Sequence, residues 1–179
     1  MTVPAGSRDY ETTLIEVKCS DFEWMLYGEP TGNRGLMLSP GGVDDPSVLR
    51  IVRSITRGLH EAGCRASWMV VSEGEVVGLC SYRRVPSNGC VEIGYGIAES
   101  RRGRGHATRA VAAMVRIAKH DSEVKTLIAE TSTGNPASAR VLEKNGFEQT
   151  GTRLDPEDGK VAMWQLGLRQ YGCSAETCD

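Results

Sequence analysis

Short segments of β-branched and alternating apolar residues recur along the chain, and this pattern predicts strands. They are found at Leu14–Lys18, Gly35–Leu38, Ser67–Ser72, Val76–Tyr82, Val91–Ile97, Thr126–Thr131, Gln149–Arg153 and Val161–Leu168. The third and fourth segments are separated only by Glu73-Gly74-Glu75, a short glycine-containing connection that favours an antiparallel hairpin. The pattern therefore predicts a strand-rich protein whose early strands meander.

Helical periodicity replaces the strand pattern in segments at Ser47–Ala62, Gly105–His120 and Pro136–Asn145. The last of these has Asn135 as its expected N-cap, and Gly146 follows its end. Strands and helices alternate from Val91 to Arg153, which indicates helices packed on a sheet with at least one parallel crossover. We therefore expect an α+β or α/β fold.

Length and composition bound the organisation of the chain. Its 179 residues suit one domain that buries roughly 70% of the surface of the unfolded chain. We predict a single domain over residues 1–179, with an N-terminal extension at 1–12 and a loose tail at 171–179. Since no apolar stretch resembles a signal peptide or a membrane span, a cytoplasmic location is the expectation.

Charge and cysteine usage exclude several classes of function. The net charge of −2 provides no global attraction to nucleic acid or an anionic membrane, and no aromatic residues interleave with the arginines to stack bases. The 6 cysteines lie far apart without a CxxC pair, which favours reduced, mostly buried thiols. No cluster of His, Cys, Asp and Glu has a metal-binding spacing, so we expect no metal. From the net charge and the absence of aromatic residues among the arginines we expect no nucleic acid and no membrane partner.

A glycine-containing turn before the second helix carries the clearest candidate chemistry. Gly103 and Gly105 would let an anion approach the unpaired N–H groups of a helix N-terminus. Neighbouring arginines add positive charge, although a plain glycine turn with solvated arginines would give the same spacing. A Rossmann loop would need glycine where Thr108 stands, and a P-loop would need Gly-Lys-Ser/Thr, which is absent.

This stretch resembles motif A of the GCN5-related N-acetyltransferases (GNAT), Arg/Gln-x-x-Gly-x-Gly/Ala, through Arg102, Gly105 and Ala107. The preceding strand from Val91 and the later segments Asn135–Ser138 and Lys144–Phe147 are also similar to the family, so the resemblance covers roughly Ser67 to Leu168. Order and spacing most resemble the branch that contains the Rim-type ribosomal-protein N-terminal acetyltransferases and many small-molecule acetyltransferases. The resemblance implies a mixed, mostly antiparallel twisted sheet flanked by helices, with the parallel crossover through the phosphate-binding helix.

The resemblance also implies acetyl-CoA as co-substrate. Its pyrophosphate would bind the segment formed by Arg102, Gly103, Arg104, Gly105, His106, Ala107 and Thr108. In this segment the His106 imidazole is better placed to contact a phosphate than to accept a proton from the amine. The backbone from Tyr95 to Ile97 would pair with the pantetheine arm as an added strand. Asn135 would contact the cofactor through its amide in addition to its role as N-cap.

Two side chains are predicted to carry the reaction. Glu92 shares its strand face with Gly94 and Gly96, a face otherwise lacking side chains, where partial desolvation can raise the pKa of a carboxylate toward neutrality and make it a general base. Solvent exposure or pairing with an arginine is the alternative for this glutamate. Many relatives carry a tyrosine that serves as general acid where Leu142 stands here. The resemblance to the Rim-type branch, which has a serine in Asn-x-x-Ser near the thiol, implies Ser138 as the general acid instead; the alternative is a hydroxyl that satisfies the first helical turn.

The sequence leaves the acceptor open. An amine of a small molecule or of a protein N-terminus is expected, with acceptor walls from the variable parts Phe22–Gly42 and Ser47–Ala62. A homodimer also remains open. The function that competes with N-acetyl transfer is a non-catalytic CoA-binding regulatory domain of the same fold.

Overall fold

The computed structural model describes residues 11–28, 34–156 and 159–168. Its strands are β1 (Thr13–Glu16), β2 (Met37–Leu38), β3 (Ser67–Ser72), β4 (Glu75–Tyr82), β5 (Cys90–Ile97), β6 (Thr126–Ser132), β7 (Glu148–Asp155) and β8 (Gly159–Gly167). Its helices are α1 (Cys19–Tyr27), α2 (Pro46–Glu61), α3 (His106–Lys119) and α4 (Pro136–Lys144), with a 3₁₀ turn at Glu99–Arg101.

The strands form one mixed sheet in the order β1-β3-β4-β5-β6-β8-β7, and β2 pairs with β4 beside this path. Two of its pairings, β2 with β4 and β5 with β6, are parallel, and the others are antiparallel. The expected hairpin joins β3 to β4 through Glu73 and Gly74, both with positive φ. The predicted mixed sheet, the hairpin and the parallel crossover through α3 are therefore confirmed.

Strand β3, between β1 and β4, is buried along its whole length because helices cover both faces of the sheet there. Trp68 and Val70 belong to one core, which includes Met114 of α3 and Leu142 of α4. The intervening Met69 belongs to the other core, together with residues of α1 and α2. This alternation, characteristic of strands, divides the apolar residues between two helical layers.

The pairing of β5 changes along its length. Cys90, Val91 and Glu92 pair with β6, whereas the segment from Ile93 to Ile97 pairs with β4. The register of β5 with β6 thus ends at Glu92, and the two strands diverge beyond it. This divergence leaves the β6-facing backbone edge of the second half of β5 without a strand partner among the described residues.

Helix α1 was not expected from the sequence pattern. Its apolar residues Phe22, Trp24 and Met25 are buried, but the helix has only 9 residues, shorter than the window in which helical periodicity is recognisable. Its first turn is stabilised by Asp21, which accepts a hydrogen bond from the Lys18 backbone N–H at 2.6 Å. The predicted strand at 35–38 is correspondingly reduced to the short β2.

The predicted tail at 171–179 and residues 1–10 of the predicted extension lie outside the described residues, so the domain limits stay a prediction. None of the described helices is long and apolar enough to cross a membrane. The cytoplasmic location also stays a prediction.

Candidate active site

A cavity of about 690 Å³, hereafter the cofactor groove, lies where the second half of β5 meets the start of α3 and the face of α4. Its lining residues are Asp44, Tyr95, Gly96, Ile97, Arg101, Arg102, Gly103, Gly105, His106, Ala107, Thr108, Asn135, Ala137, Ser138, Arg140, Val141 and Lys144. The structure therefore brings the predicted cofactor-binding residues to one groove, with the exception of Arg104.

The turn before α3 presents backbone rather than side chains to this groove. Gly103 and Gly105 both have φ of 76°, in the left-handed region that favours glycine. Gly105 is the N-cap residue of α3 and has no side chain with which to cap it, so no side chain of the N-cap residue covers the N–H groups of the first turn. A Cβ at position 105 would lie 2.8 Å from Nη1 of Arg109, closer than ordinary contact.

The arginines around this turn have different roles. Arg109 donates from Nη2 to the Arg104 carbonyl at 2.7 Å and from Nε to Thr12 Oγ1 at 3.0 Å, which braces the turn from behind. Arg102 donates from Nε to the Ile97 carbonyl at 3.1 Å and lines the groove. Arg101 pairs with Glu75 at 2.7 Å. The sequence could not separate these roles, since the contacts of Arg109 with Thr12 and of Arg101 with Glu75 join residues distant in the chain.

His106 is buried, and its Nδ1 lies 3.3 Å from Thr12 Oγ1. Burial, followed by the positive charges of Arg109 and Arg104, lowers the pKa of His106 below its usual value. The imidazole is therefore neutral at pH 7. Its attraction for a phosphate is accordingly weaker than that of a cation.

Helix α4 supplies groove residues that the sequence analysis missed. Asn135 accepts a hydrogen bond from the Ser138 N–H at 3.1 Å, which confirms it as the N-cap. Further along α4, Arg140 and Lys144 place two positive charges on the groove. They share one helical face with Ala137, at i+3 and i+7, and that spacing was a signal in the sequence.

A second cavity, of about 380 Å³, adjoins the groove along β5 and shares Tyr95 and Ser138 with it; we call it the acceptor cavity after the role proposed below. It is lined by Ile55, Arg83, Arg84, Glu92, Ile93, Gly94, Tyr95, Glu130, Ser132, Ser138, Arg153, Asp155 and Val161. Both predicted catalytic residues, Glu92 and Ser138, belong to it. Ile55 of α2 lines this cavity, whereas the described residues of Phe22–Gly42 do not; the acceptor walls stay a prediction.

Glu92 is not alone on its strand face. Its carboxylate pairs with the guanidinium of Arg84, and Nε of Arg83 lies 3.6 Å from Glu92 Oε1. The stem of Arg83 runs over Gly94, with Cδ 3.4 Å from where a Cβ would stand. At Gly96, a carboxylate oxygen of Asp44 lies 3.0 Å from the position that a Cβ atom would occupy. Side chains from elsewhere in the chain therefore cover the face of β5 that was expected to be open. Glu92 pairs with an arginine, which is the alternative considered from the sequence.

Ser138 and Tyr95 form a hydrogen-bonded pair at the junction of the two cavities. The Tyr95 hydroxyl lies 2.8 Å from Ser138 Oγ and donates to the Ser138 carbonyl at 3.0 Å. Burial raises the pKa of Tyr95 to about 12, against the lowering effect of its hydrogen bond with Ser138. The phenol therefore stays protonated at neutral pH and can donate. Leu142, at the position of the family tyrosine, is fully buried in the core.

A family model described as an acetyltransferase (GNAT) domain matches residues 4–148. The chain belongs to this family. Membership confirms the predicted family and the predicted class of enzyme, an acetyltransferase. In the part of this GNAT chain that the structure describes, no group of three or more His, Cys, Asp or Glu residues could hold a metal ion.

Curated relatives share this assignment. The chain is 32% identical over 90 residues to the ribosomal-protein-serine acetyltransferase of Escherichia coli (strain K12), a match that spans 50% of each protein. It therefore matches about half the length of that relative. It is also 28% identical over 165 residues to the uncharacterized N-acetyltransferase p20 of Bacillus licheniformis, over 88% of this chain and 92% of that protein.

A solved structure with the same fold is that of RimL, a ribosomal L7/L12 alpha-N-protein acetyltransferase in complex with coenzyme A. It superimposes with a TM-score of 0.65 at 19% identity, over 88% of this chain and 94% of that one. The predicted fold class is confirmed, and so is the similarity of this GNAT chain to the Rim-type branch.

Proposed function

We propose that this chain transfers the acetyl group of acetyl-CoA to a primary amine. The observation that supports this most strongly is that the cofactor groove and the acceptor cavity share Tyr95 and Ser138. A thioester held in the groove would reach the same point as an amine held in the cavity. Proximity of this kind converts a bimolecular reaction into an effectively unimolecular one.

The cofactor groove suits the parts of acetyl-CoA in turn. Backbone amides from Gly103 to Thr108 would bind the pyrophosphate at the N-terminus of α3, assisted by the cationic groups of Arg102, Arg140 and Lys144. The backbone of Tyr95–Ile97, beyond the last β5–β6 pair, would hydrogen-bond the amide groups of the pantetheine arm. RimL, a structural neighbour at low identity, is known in complex with coenzyme A.

We assign the general base to Glu92. An α-amine with a pKa near 8 costs about 1.4 kcal/mol to deprotonate at pH 7, and a lysine amine costs nearly 5 kcal/mol, so a base assists either acceptor. Glu92 lines the acceptor cavity with a side chain that is only 6% exposed. Glu92 can accept a proton from the ammonium, directly or through water, once the ion pair between Arg84 and Glu92 has opened.

Proton return is assigned to Ser138, supported by Tyr95. As the amine nitrogen forms its bond to the acetyl carbon, the carbon–sulfur bond breaks and a thiolate leaves. Ser138 can pass a proton to that sulfur and recover one from the Tyr95 hydroxyl, 2.8 Å away. Water then returns a proton to Tyr95, and Glu92 releases the amine proton to water. The proton lost from the amine thus balances the proton gained by the thiol.

A thiol-release assay with a broad amine panel, run beside acetyl-CoA calorimetry, tests the function. We expect acetyl-CoA to bind, to raise the melting temperature by mass action, and to release CoA only when an accepted amine is present. Binding without acceptor-dependent release across the panel would contradict the transferase assignment and support the non-catalytic CoA-binding alternative.

A further inference from the structure

We propose that the acceptor carries an anionic group, a carboxylate or a phosphate, close to its amine, and that Arg83 and Arg84 bind this group. The inference rests on the proposed function because it names the acceptor class of the same cavity. It makes the two arginines specificity-determining residues and Glu92 the group that receives the amine.

The first argument is the charge balance around Glu92. Arg83 and Arg84 both pair with this single carboxylate, which leaves one positive charge in excess at that end of the cavity. An acceptor that brings only an ammonium would have to compete with these two guanidinium groups for Glu92. An acceptor that also brings an anion would neutralise the excess, and its ammonium could then approach Glu92.

The opposite wall has the reverse balance. Arg153 donates to both oxygens of Glu130 at 2.8 and 2.6 Å, and its Nη1 lies 2.8 Å from Asp155. One guanidinium therefore serves two carboxylates, which leaves one negative charge in excess. Because Arg153 already pairs with Glu130 and Asp155, the guanidinium groups available to an anion of the acceptor are those of Arg83 and Arg84.

Exposure shows which partner can be exchanged. The side chains of Arg84 and Arg83 are 67% and 53% exposed, whereas that of Glu92 is 6% exposed. An exposed guanidinium gives up an ion pair at small cost, and its fork of N–H donors fits a carboxylate or phosphate in two hydrogen bonds. Glu92 cannot move into water in the same way, so losing Arg84 leaves it in need of another cation. The ammonium of the acceptor supplies one.

Matched acceptor pairs test the idea, with rates compared at equal concentration of neutral amine. The carboxylate arm uses β-alanine against β-alaninamide and Ala-Glu peptides against Ala-Gln peptides, and the phosphate arm uses phosphoethanolamine against ethanolamine. We expect the anionic member of at least one arm to be preferred by about 10- to 100-fold in kcat/KM, the range for a hydrogen bond to a charged group. The arm with the preference identifies the anion.

Variants locate the preference. In Arg84→Gln and Arg83→Gln, kcat/KM for the anionic acceptor should fall by a larger factor than kcat/KM for its neutral partner, because only the anionic acceptor loses a hydrogen-bonded ion pair. The ratio between the partners should approach one in the double variant. Arg57→Gln, an exposed arginine of α2 outside both cavities, is the matched control and should keep the preference.

Equal rates for anionic and neutral partners in the unaltered protein would overturn the proposal. So would an equal loss for both partners in Arg84→Gln, since that is the result of a purely structural role. Turnover of other amines from a broad panel, without turnover of any anionic acceptor, would overturn this inference and leave the acetyltransferase intact. Absence of acceptor-dependent CoA release with every amine would instead contradict the proposed function.

Discussion

The two cavities that follow one another along β5 are formed by different parts of the chain. The cofactor groove depends on backbone: the glycine turn at Gly103 and Gly105, the first N–H groups of α3 and the edge of β5. The acceptor cavity depends on charged side chains, with Glu92 shared by two arginines and Arg153 shared by two carboxylates. Backbone geometry suits a ligand that never changes, whereas side chains adapt a cavity to a particular acceptor. Substitutions should therefore act through conformation in the groove and through charge in the cavity.

The largest effect is expected from Glu92→Gln in the acceptor cavity. Loss of a general base lowers kcat/KM by about 10²–10⁴-fold, while acetyl-CoA affinity should be retained. The defect should shrink as pH rises, because more of the amine is neutral without assistance. Steady-state rates from about pH 6 to 9 measure this.

The control for that substitution is Glu23→Gln, which removes a comparable ion pair, with Arg53, far from both cavities. It should leave rates unchanged. A Glu92→Gln protein with near-normal rates over the whole pH range would show that water or another residue removes the proton.

Gly105→Glu tests the groove. The substitution places a side chain at a left-handed φ, brings its Cβ to 2.8 Å from Arg109 and adds a negative charge where the pyrophosphate would bind. The left-handed φ costs about 1–2 kcal/mol of folding stability. Because the side chain and its charge would oppose the pyrophosphate directly, the dissociation constant for acetyl-CoA should rise about 100-fold or more. Calorimetry measures the change.

Gly63→Glu is the matched control, because Gly63 also has a positive φ of 72° but no neighbouring atom within 4 Å and no place in either cavity. It should cost stability and spare acetyl-CoA affinity. If Gly105→Glu binds as the unaltered protein does, the assignment of this turn to the pyrophosphate fails.

A smaller effect is expected at the junction of the cavities. Ser138→Ala should lower kcat by about tenfold or less, because a thiolate leaves with less help than an ammonium needs to lose its proton. Tyr95→Phe should reproduce part of this loss by removing the hydroxyl that lies 2.8 Å from Ser138 Oγ. Single-turnover rates with both variants measure the step. A crippled Ser138→Ala protein beside a nearly normal Glu92→Gln protein would reverse the roles assigned here.

The smallest effect is a loss of folding stability at alkaline pH, which does not occur near neutral pH. Burial raises the pKa of both Tyr82 and Tyr95 to about 12, so the folded state holds these protons more tightly than the unfolded chain, whose tyrosines ionise near 10. The contribution is present in full below about pH 10 and is lost as pH rises toward about 12. Urea denaturation at rising pH should show this loss, reduced in Tyr95→Phe.

Tyr27→Phe, at an exposed tyrosine, is the control and should follow the unaltered protein. Equal alkaline losses in Tyr95→Phe and Tyr27→Phe would contradict the effect of burial on Tyr95.

Local sequence was sufficient for the cofactor groove and for much of the fold. The turn from Gly103 to Thr108 and the start of α3 are contiguous, so this candidate anion site was recognisable from neighbouring residues and the family resemblance. The helix boundaries agree to within a residue because Asn135 as N-cap and the prolines at the starts of α2 and α4 mark them. Short elements were less predictable: α1 is too brief for its periodicity to stand out.

By itself, the sequence determined the family, the strand–helix alternation and the residues of the phosphate turn, because each is encoded by neighbouring positions. Only the tertiary structure decided that Arg84 pairs with Glu92, that Tyr95 reaches Ser138, and that Arg153 is divided between two carboxylates. The physical reason is that long side chains select partners by distance in space. That distance is set by the divergence of β5 from β6 and by the packing of α4 against the sheet, which no local pattern records.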